Sequence, residues 1–369
     1  MKLTCQRDGL LLACQLASAA LAARSPKDEI TSTLKAVAED ERLTLIATNM
    51  TVGLRYHLRG VTVEEAGEAI FPAHKLVSIL RESLDESVHI DADAERCLLT
   101  TDSGEFEMPG ESPDGFPDFP EFVDENFHEL KAGDLRKMIR QTIFTTHKED
   151  GKYAMRSVLW EPSAEGMRLV ATDGRRVAVM DGPATLHGTL SEEKHSHLVP
   201  REAMNLLEKN LHDDDEIVKV SLRGGDALFH TPKSTVWTQL TAARFAPYRD
   251  ILPKKVNAKV ELPVEAFTAA LRQAAVMTDE ESKKVTCLFD TGKLTLQAQG
   301  GASGGRSKVA MPITYDAEPI EICFDPALLV DMLRALDEEE SIRLDMEEGT
   351  RPALFRAGEQ YLYLVMPLT

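Results

Sequence analysis

The chain has 369 residues, 43% of them hydrophobic and 28% charged, with a formal net charge of −19. This composition marks a folded globular protein of two or three domains, no apolar run reaches the roughly 18 residues of a membrane span, and the acidic balance argues against a generic basic nucleic-acid binder while leaving room for a local basic surface. The cysteines at 5, 14, 97, 287 and 323 are scattered, odd in number and without a CxxC, which fits reduced thiols in a cytoplasmic protein rather than a disulfide framework or a zinc site.

Met1–Gln6 reads as a short strand and about Asp8–Ala22 as a helix. Within it, Leu10–Ala23 resembles the apolar region of a signal peptide, but Asp8 interrupts the flank and the segment has counterparts further along the chain, so it is read as structure. Leu43–Leu58 carries strand and turn chemistry. Phe71–Ile90 reads as strand end, proline-opened helix, acidic turn and strand. Gly110–Glu125, rich in proline and acid, is a linker. A strand at Asn126–Leu130 then leads to a helix at Gly133–Thr145, with Leu135, Met138 and Ile139 as its apolar stripe. Met167–Met180 is again strand and turn, and Val199–Val220 repeats the pattern of Phe71–Ile90. A second linker lies at Pro247–Asn257. The third round has a strand at Lys259–Leu262, a helix at Val264–Met277 striped by Phe267, Ala270 and Leu271, a hairpin across Lys293–Met311 with a glycine-rich loop, and a third helix-turn-strand at Phe324–Met346. Tyr361–Val365 is a last strand, and Met366-Pro367-Leu368 leaves apolar side chains beside it.

Such an internal repeat sets the architecture before any single motif does. In the second helix of each copy Pro72, Pro200 and Pro326 are expected in the first turn. Leu76, Met204 and Leu329 align, as do Ile79, Leu207 and Met332, and these pairs point toward a core. Two residues on come Arg81, Lys209 and Arg334, about 170° away by helical geometry. Arg140 and Arg272 hold the same off-core position in the first helices of the second and third copies, and Gln15 holds it in the first. An exposed charge on one helix is ordinary; a cation there in five of six helices suggests a surface. Acidic runs at Asp85-Glu86, Asp213–Glu216 and Asp337–Glu340 follow the helices. Acids near a helix C-terminus oppose the macrodipole, so helix stability does not account for them. The expected fold is α+β, in three similar domains over 1–122, 123–254 and 255–369, each of two β-α-β-rich halves.

No active site emerges. Gly300–Ser307 (GGASGGRS) nearly spells a phosphate-binding loop, but a strand interrupted by proline follows where a helix N-terminus is needed. His195, His197, His212 and the acids at 213–216 lack a shared register for a metal, so they read as solvated loop residues. No catalytic residue, metal site or cofactor is expected. In ATDGRRV (171–177) a turn explains Asp173 and Gly174 but not the two arginines leaving it.

Together these residues resemble the bacterial DNA polymerase III beta subunit, the sliding clamp. The marks are ATDGRRVAV at 171–179, VPR at 199–201, RF…YRDILP at 244–253, VMPL at 365–368 and the N-terminal MKLT with its leucine-rich helix, and they cover the whole chain. The resemblance implies a head-to-tail homodimeric ring with helices lining a hole around duplex DNA and β-sheets outside. It also implies a non-enzymatic processivity factor that tethers the polymerase III catalytic subunit, the clamp loader and other proteins carrying a clamp-binding motif. The partner pocket implied is Met155, Thr172, Gly174, Arg175, Arg176, Val177, Ile251, Leu364, Met366, Pro367 and Leu368. The DNA-facing positions are Arg24, His74, Lys148 and Tyr153. The dimer contact is Phe106 and Met108 of one subunit with Val276 and Met277 of the other. The sequence departs from the family pattern at Ala246, Asp250 and Ser282 near the pocket and at Glu149 near the DNA positions. Where familiar clamps set bases on the first domain against acids on the third, Glu105 and Glu107 face Arg306 and Lys308, which is expected to disfavour mixed rings with such a clamp. Two other readings remain at this point: a clamp-like hub that no longer encircles DNA, marked by a stable monomer, and a hydrolase using the histidine and acid clusters.

Overall fold

The computed structural model describes residues 1–21, 32–147, 155–189, 197–278, 283–300, 304–336 and 339–368. One unit recurs three times along it: strand, helix, a set of strands, second helix, then a three-strand meander. The helices are α1 (Arg7–Ser18), α2 (Ala73–Glu82), α3 (Ala132–Ile143), α4 (Arg201–Asn210), α5 (Val264–Ala275) and α6 (Pro326–Ala335). Each forms because apolar residues recur at helical spacing and bury one stripe: Leu10, Ala13, Cys14 and Ala17 in α1, Met204 and Leu207 in α4, Leu329 and Met332 in α6.

The observed bounds correct several expectations. The first helices of the three repeats end at Ser18, Ile143 and Ala275, two to four residues before their apolar patterns run out. In each the next residues close tighter i→i−3 turns: Ala19 N–H to Leu16 O, Thr145 N–H to Thr142 O, Val276 N–H to Gln273 O. These satisfy the last carbonyls without another α-turn. The strands before them are Lys2–Gln6, Phe127–Lys131 and Ala258–Pro263. The prolines divide. Pro326 is the first residue of α6, behind Asp325, whose carboxylate accepts the Ala327 N–H at 3.0 Å. Pro72 and Pro200 instead end a strand and stand one position ahead of their helices. They sit one residue further from the aligned apolar positions than Pro326 does, so Ala73, Arg201 and Pro326 are the equivalent starts.

The chain divides into two compact units, one of Met1–Asp134 with Ala184–Thr241, the other of Leu135–Pro183 with Ala242–Thr369. In the first unit a five-stranded sheet runs in the order Thr62–Glu65, Lys2–Gln6, Ser87–Ala92, Arg96–Thr100, Glu105–Pro109. A nine-stranded sheet runs Thr185–His187, Phe127–Lys131, Ile217–Leu222, Asp226–His230, Ser234–Gln239, Val52–Arg59, Arg42–Thr48, Thr33–Glu39, Gly67–Pro72. It is continuous because the last strand of the second repeat, Ser234–Gln239, pairs with Val52–Arg59 of the first. In the second unit a sheet includes, in order, Ser157–Pro162, Gly166–Thr172, Arg176–Pro183, Tyr361–Val365, Ala353–Ala357, Ser341–Met346 and Ala258–Pro263, joined in the same way by Tyr361–Val365 on Arg176–Pro183. A four-stranded sheet runs Arg306–Pro312, Lys293–Gln299, Val285–Asp290, Ile320–Phe324. The pairings are antiparallel. Leu3, Leu10, Leu54 and Leu76 in the first unit, and Leu169, Leu271, Leu329 and Phe355 in the second, are fully buried; each such side chain contributes about 1.5–3 kcal/mol.

The acidic runs have local partners. The Asp85 carboxylate accepts from Ser103 N–H and Oγ at 3.1 and 2.6 Å. Asp213 accepts the Asp215 N–H at 3.1 Å, Asp215 meets Lys131 at 3.0 Å and Glu339 meets Lys137 at 3.3 Å. These four acids close turns or pair with cations. The strands flanking the glycine-rich loop, whose residues 301–303 lie outside the described residues, pair as a hairpin: Gly300 N–H donates to Gly305 O at 2.8 Å, and Arg306 opens a strand.

Candidate functional site

The two arginines that a turn alone did not explain lie in the second unit. Asp173 Oδ1 accepts the Arg175 and Arg176 N–H groups at 3.0 and 3.1 Å, and Thr172 Oγ1 accepts the Gly174 N–H at 3.0 Å and donates to Arg176 O at 2.7 Å. Gly174 sits at φ +86°, in the left-handed region that glycine occupies without strain. A Cβ there would stand 3.4 Å from Met155 Cε, so Met155 already lies against the turn.

From this turn the arginines part. Arg176 is buried, and each guanidinium nitrogen donates: Nε to Asp173 Oδ2 at 2.9 Å, Nη1 to Asp331 Oδ2 at 3.0 Å and Nη2 to Phe144 O at 3.0 Å. Its guanidinium carbon stands 5.3 Å from the Phe144 ring centre. Burial on its own would lower the guanidinium pKa, but Tyr363, Asp173 and Asp331 more than reverse that and hold it above its usual range. Arg175 stays half exposed and reaches the buried Asp325 carboxylate at 3.2 Å.

Tyr361–Val365 lies alongside, with Val365 opposite Arg176 and Leu364 opposite Val177. Leu364 and Val177 are buried. The chain then leaves the sheet under control: Met366 N–H donates to Arg175 O at 2.9 Å and Leu368 N–H to Cys323 O at 2.8 Å. Met366 is 39% exposed, an apolar side chain held over a hydrogen-bonded base. Pro367 and Leu368 are partly buried beside it. The structure thus brings Met155, Thr172, Gly174, Arg175, Arg176, Val177, Leu364, Met366, Pro367 and Leu368 into one bonded or chain-adjacent set. Ile251, 43% exposed, follows the one-turn helix Tyr248–Asp250 and is joined to this set by no bond among the described residues.

The one-turn helix is pinned by Tyr248 Oη donating to Glu161 Oε2 at 2.8 Å, with Arg249 Nη2 on the same oxygen at 2.6 Å. Burial first, then the Glu161 bond, pushes the Tyr248 hydroxyl up to about 12. An unfolded tyrosine ionises near pH 10, so this stabilisation is present below about pH 10 and is lost as pH rises through about 12. We expect the melting temperature of the wild-type chain to fall more steeply between pH 10 and 12 than that of Tyr248→Phe; parallel curves would refute it. A cleft of about 660 Å³ nearby is lined by Glu161, Glu165, Arg168, Asp181 and Arg249; Arg168 pairs with Asp181 and Arg249 with Glu161.

The repeated helix cations are placed as their spacing implies. Arg81, Lys209, Arg272 and Arg334 are exposed, and among the described residues none of the four makes an ion pair. Arg140 is half-buried and has a partner. Gln15 is exposed in α1. His74 is exposed on α2. Arg24, Lys148 and Tyr153, together with Glu149, His195 and Ser282, lie outside the described residues. His197 is buried at the start of the strand His197–Pro200, and among the described residues no group of three or more histidine, cysteine or acidic side chains could hold a metal ion.

Asp325, Asp331 and Phe144 were missed by sequence reasoning. Asp331 and Asp325 are 155 and 150 residues from the arginines they bind, and on α6 each looks like an ordinary surface acid or cap. The only available signal was Arg176 itself, a second arginine leaving a turn that needed none.

A threefold strand–helix–strand repeat, sheets continuous across repeats, cation-bearing helices and an apolar turn-and-tail site define the class of three-domain α+β clamps. Family comparison agrees: the DNA polymerase III beta subunit N-terminal domain matches residues 1–120, the central domain 129–247 and the C-terminal domain 249–369. Among curated relatives, the beta sliding clamp of Escherichia coli K12 is 26% identical over 372 residues and covers 100% of both chains. That of Chlamydia pneumoniae is 26% identical over 330 residues, 89% of this chain and 88% of its own. Among solved structures, the Pseudomonas aeruginosa sliding clamp bound to griselimycin superposes with a TM-score of 0.92 at 24% identity, covering 100% of this chain and 99% of its own. The Bacillus subtilis DNA polymerase sliding clamp also gives 0.92, at 20% identity, with 100% and 99% coverage. The chain belongs to the DNA polymerase III beta subunit family, the bacterial sliding clamps.

Proposed function

We propose that two copies of this chain close head to tail into a ring around duplex DNA, with its three domains over 1–122, 123–254 and 255–369, and act in the cytoplasm as a DNA sliding clamp and processivity factor. The observation that carries the reading is the recurrence of exposed cations, without an ion pair among the described residues, on helices of all three repeats in a chain of net charge −19. Contacts to phosphate position a protein without reading sequence, which suits a ring that slides. Arg24, His74, Lys148 and Tyr153 are further residues assigned to DNA contact. Retention comes from topology and the chain catalyses no reaction. The set of Met155, Thr172, Gly174 to Val177, Ile251, Leu364 and Met366 to Leu368 receives short extended motifs of the polymerase III catalytic subunit, the clamp loader and other partners, with apolar anchors supplying most of the affinity. Among the described residues no helix is long and apolar enough to cross a membrane.

The test is retention on nicked circular duplex DNA after loading with ATP and a cognate clamp loader, before and after the DNA is linearised. Loss on linearisation is expected. Equal retention on both forms would mean surface binding and would overturn the ring.

A further inference from the structure

Two strands end their sheets with an uncovered edge and unmatched charge. Glu105–Pro109 closes one side of the five-stranded sheet and Arg306–Pro312 one side of the four-stranded sheet. Glu105 and Glu107 on the first, and Arg306 and Lys308 on the second, are exposed, and among the described residues none of the four makes an ion pair. Their strand neighbours offer no charge: Thr100 and Leu98 stand opposite the acids, Gln299 and Gln297 opposite the cations.

The repeat says what these edges are for. The last strand of the second repeat pairs with Val52–Arg59 of the first, and the last strand of the third with Arg176–Pro183 of the second. Glu105–Pro109 is the corresponding last strand of the first repeat, and Arg306–Pro312 corresponds to Val52–Arg59 and Arg176–Pro183. They are the two members left over.

The ladders also give the register. Gln6, Lys131 and Pro263, each the last strand residue before a helix, pair with Ser87, Ile217 and Ser341. Two residues on, His89, Lys219 and Arg343 pair with Thr100, His230 and Arg356. Those pair with Glu105, Thr235 and Leu362, which are therefore equivalent. On the other strand, Phe71 and Phe324, two residues before equivalent helix starts, pair with Leu34 and Val285, and the next hairpins place Leu54 and Ser307 opposite Ala47 and Ala298. Ala171, like Ala47 followed by threonine before the turn, faces Ala178. So Arg55, Val179 and Lys308 are equivalent. Both junctions inside the chain use one register: Thr235 opposite Arg55, and Leu362 opposite Val179.

We propose that the third junction, made with a second copy of this chain, uses the same register and is selected by charge: Glu105 of one copy lies opposite Lys308 of the other, and Glu107 opposite Arg306. This rests on the ring reading and adds its pairing rule. Alternation supports it, since successive strand residues face opposite sides. Phe106 and Met108 face the helix side, where Phe106 borders a cleft of about 660 Å³ shared with Ile79 and Leu84. Ser307, opposite Phe106 in this register, also faces the helices, donating to Ala274 O at 2.7 Å. The exposed Val276 and Met277 follow directly and supply the apolar groups for that cleft. The four charges then share the other face, each opposite its complement. An acidic edge repels another acidic edge and a basic edge another basic one, so only head-to-tail closure is allowed, and a clamp with the opposite polarity is rejected.

The experiment is a charge swap read by sedimentation and light scattering of the full chain. The wild type is expected near twice the 40.8 kDa chain mass. E105K/E107K and R306E/K308E should each dissociate, with Kd raised by about a hundredfold or more. An equimolar mixture of the two should restore a dimer, because every edge again meets its opposite. Within the pairs, E107K should be rescued by R306E and not by K308E. Reversed chains that dimerise like wild type overturn the role of charge and leave the ring intact. A mixture that stays monomeric, or rescue of E107K by K308E, overturns the register. A wild type that is monomeric at tens of micromolar overturns the ring reading and this junction with it.

Discussion

Replacing Arg176 by methionine is expected to destabilise the second unit by about 3 kcal/mol and to lower its melting temperature by about 6–12 °C. The guanidinium satisfies two carboxylates and one main-chain carbonyl at 2.9–3.0 Å. Methionine fills similar space but leaves the Asp173 side chain, only 12% exposed, without its cation. Removing one partner of a buried pair costs about 3–5 kcal/mol. Asp331 is 40% exposed, and solvent reclaims it, so the lower end applies. Lysine at 176 keeps the charge but not the fork and should fall between. Arg175→Ala is the contrast: that side chain is 54% exposed, and its partner Asp325 keeps the cap on α6, so less than about 1 kcal/mol is lost. Thermal unfolding of the three variants decides it. Equal shifts at 175 and 176 would show that the buried network is not what holds the turn. Because Arg176 sets the path of the hairpin to which Met366 is bonded, Arg176→Met should also weaken binding of an apolar partner peptide by displacing that path, whereas Arg175→Ala removes one side chain of the set and leaves the path in place.

What could be read from the sequence was what the repeat made redundant. Leu76, Met204 and Leu329 agree, so three weak helices became one strong pattern, and the cations two residues beyond the second apolar position came out exposed in all three copies. Helix ends were misjudged because an apolar stripe continues through an i→i−3 turn as readily as through an α-turn; Val276 and Met277 kept the pattern of α5 while leaving its hydrogen bonding. In the site, the turn at 173–174 was legible from local chemistry, and the apolar tail from its composition. The tie between them was not. It depends on Asp331, Phe144 and a strand pairing between 176 and 365, and no property of those residues in isolation marks them as neighbours. The junction register was hidden for the same reason, although the charges at 105, 107, 306 and 308 that select it stood in plain view.

Neutralising one cation in each of four helices, as R81Q/K209Q/R272Q/R334Q, is expected to lower affinity for duplex DNA by about a hundredfold or more at low salt and to flatten the salt dependence. Each phosphate contact contributes about 0.9 to the slope of log affinity against log salt, so a loss of three or more contacts is directly readable. Glutamine keeps good helix propensity, and all four positions are exposed, so stability should stay within about 0.5 kcal/mol and the assembly state should not change. The variant is four units more negative than the parent's −19, and a general repulsion from DNA must be separated from loss of a face. Arg59, Lys233, Lys259 and Lys293 provide the separation, since they are equally exposed but lie on strands or a hairpin turn. Their joint replacement by glutamine makes the same change in net charge. If the helices carry the DNA face, this second variant keeps most of the affinity and the full salt slope. If both variants lose affinity alike, the helix cations count only toward net charge, and their recurrence through three repeats has another cause.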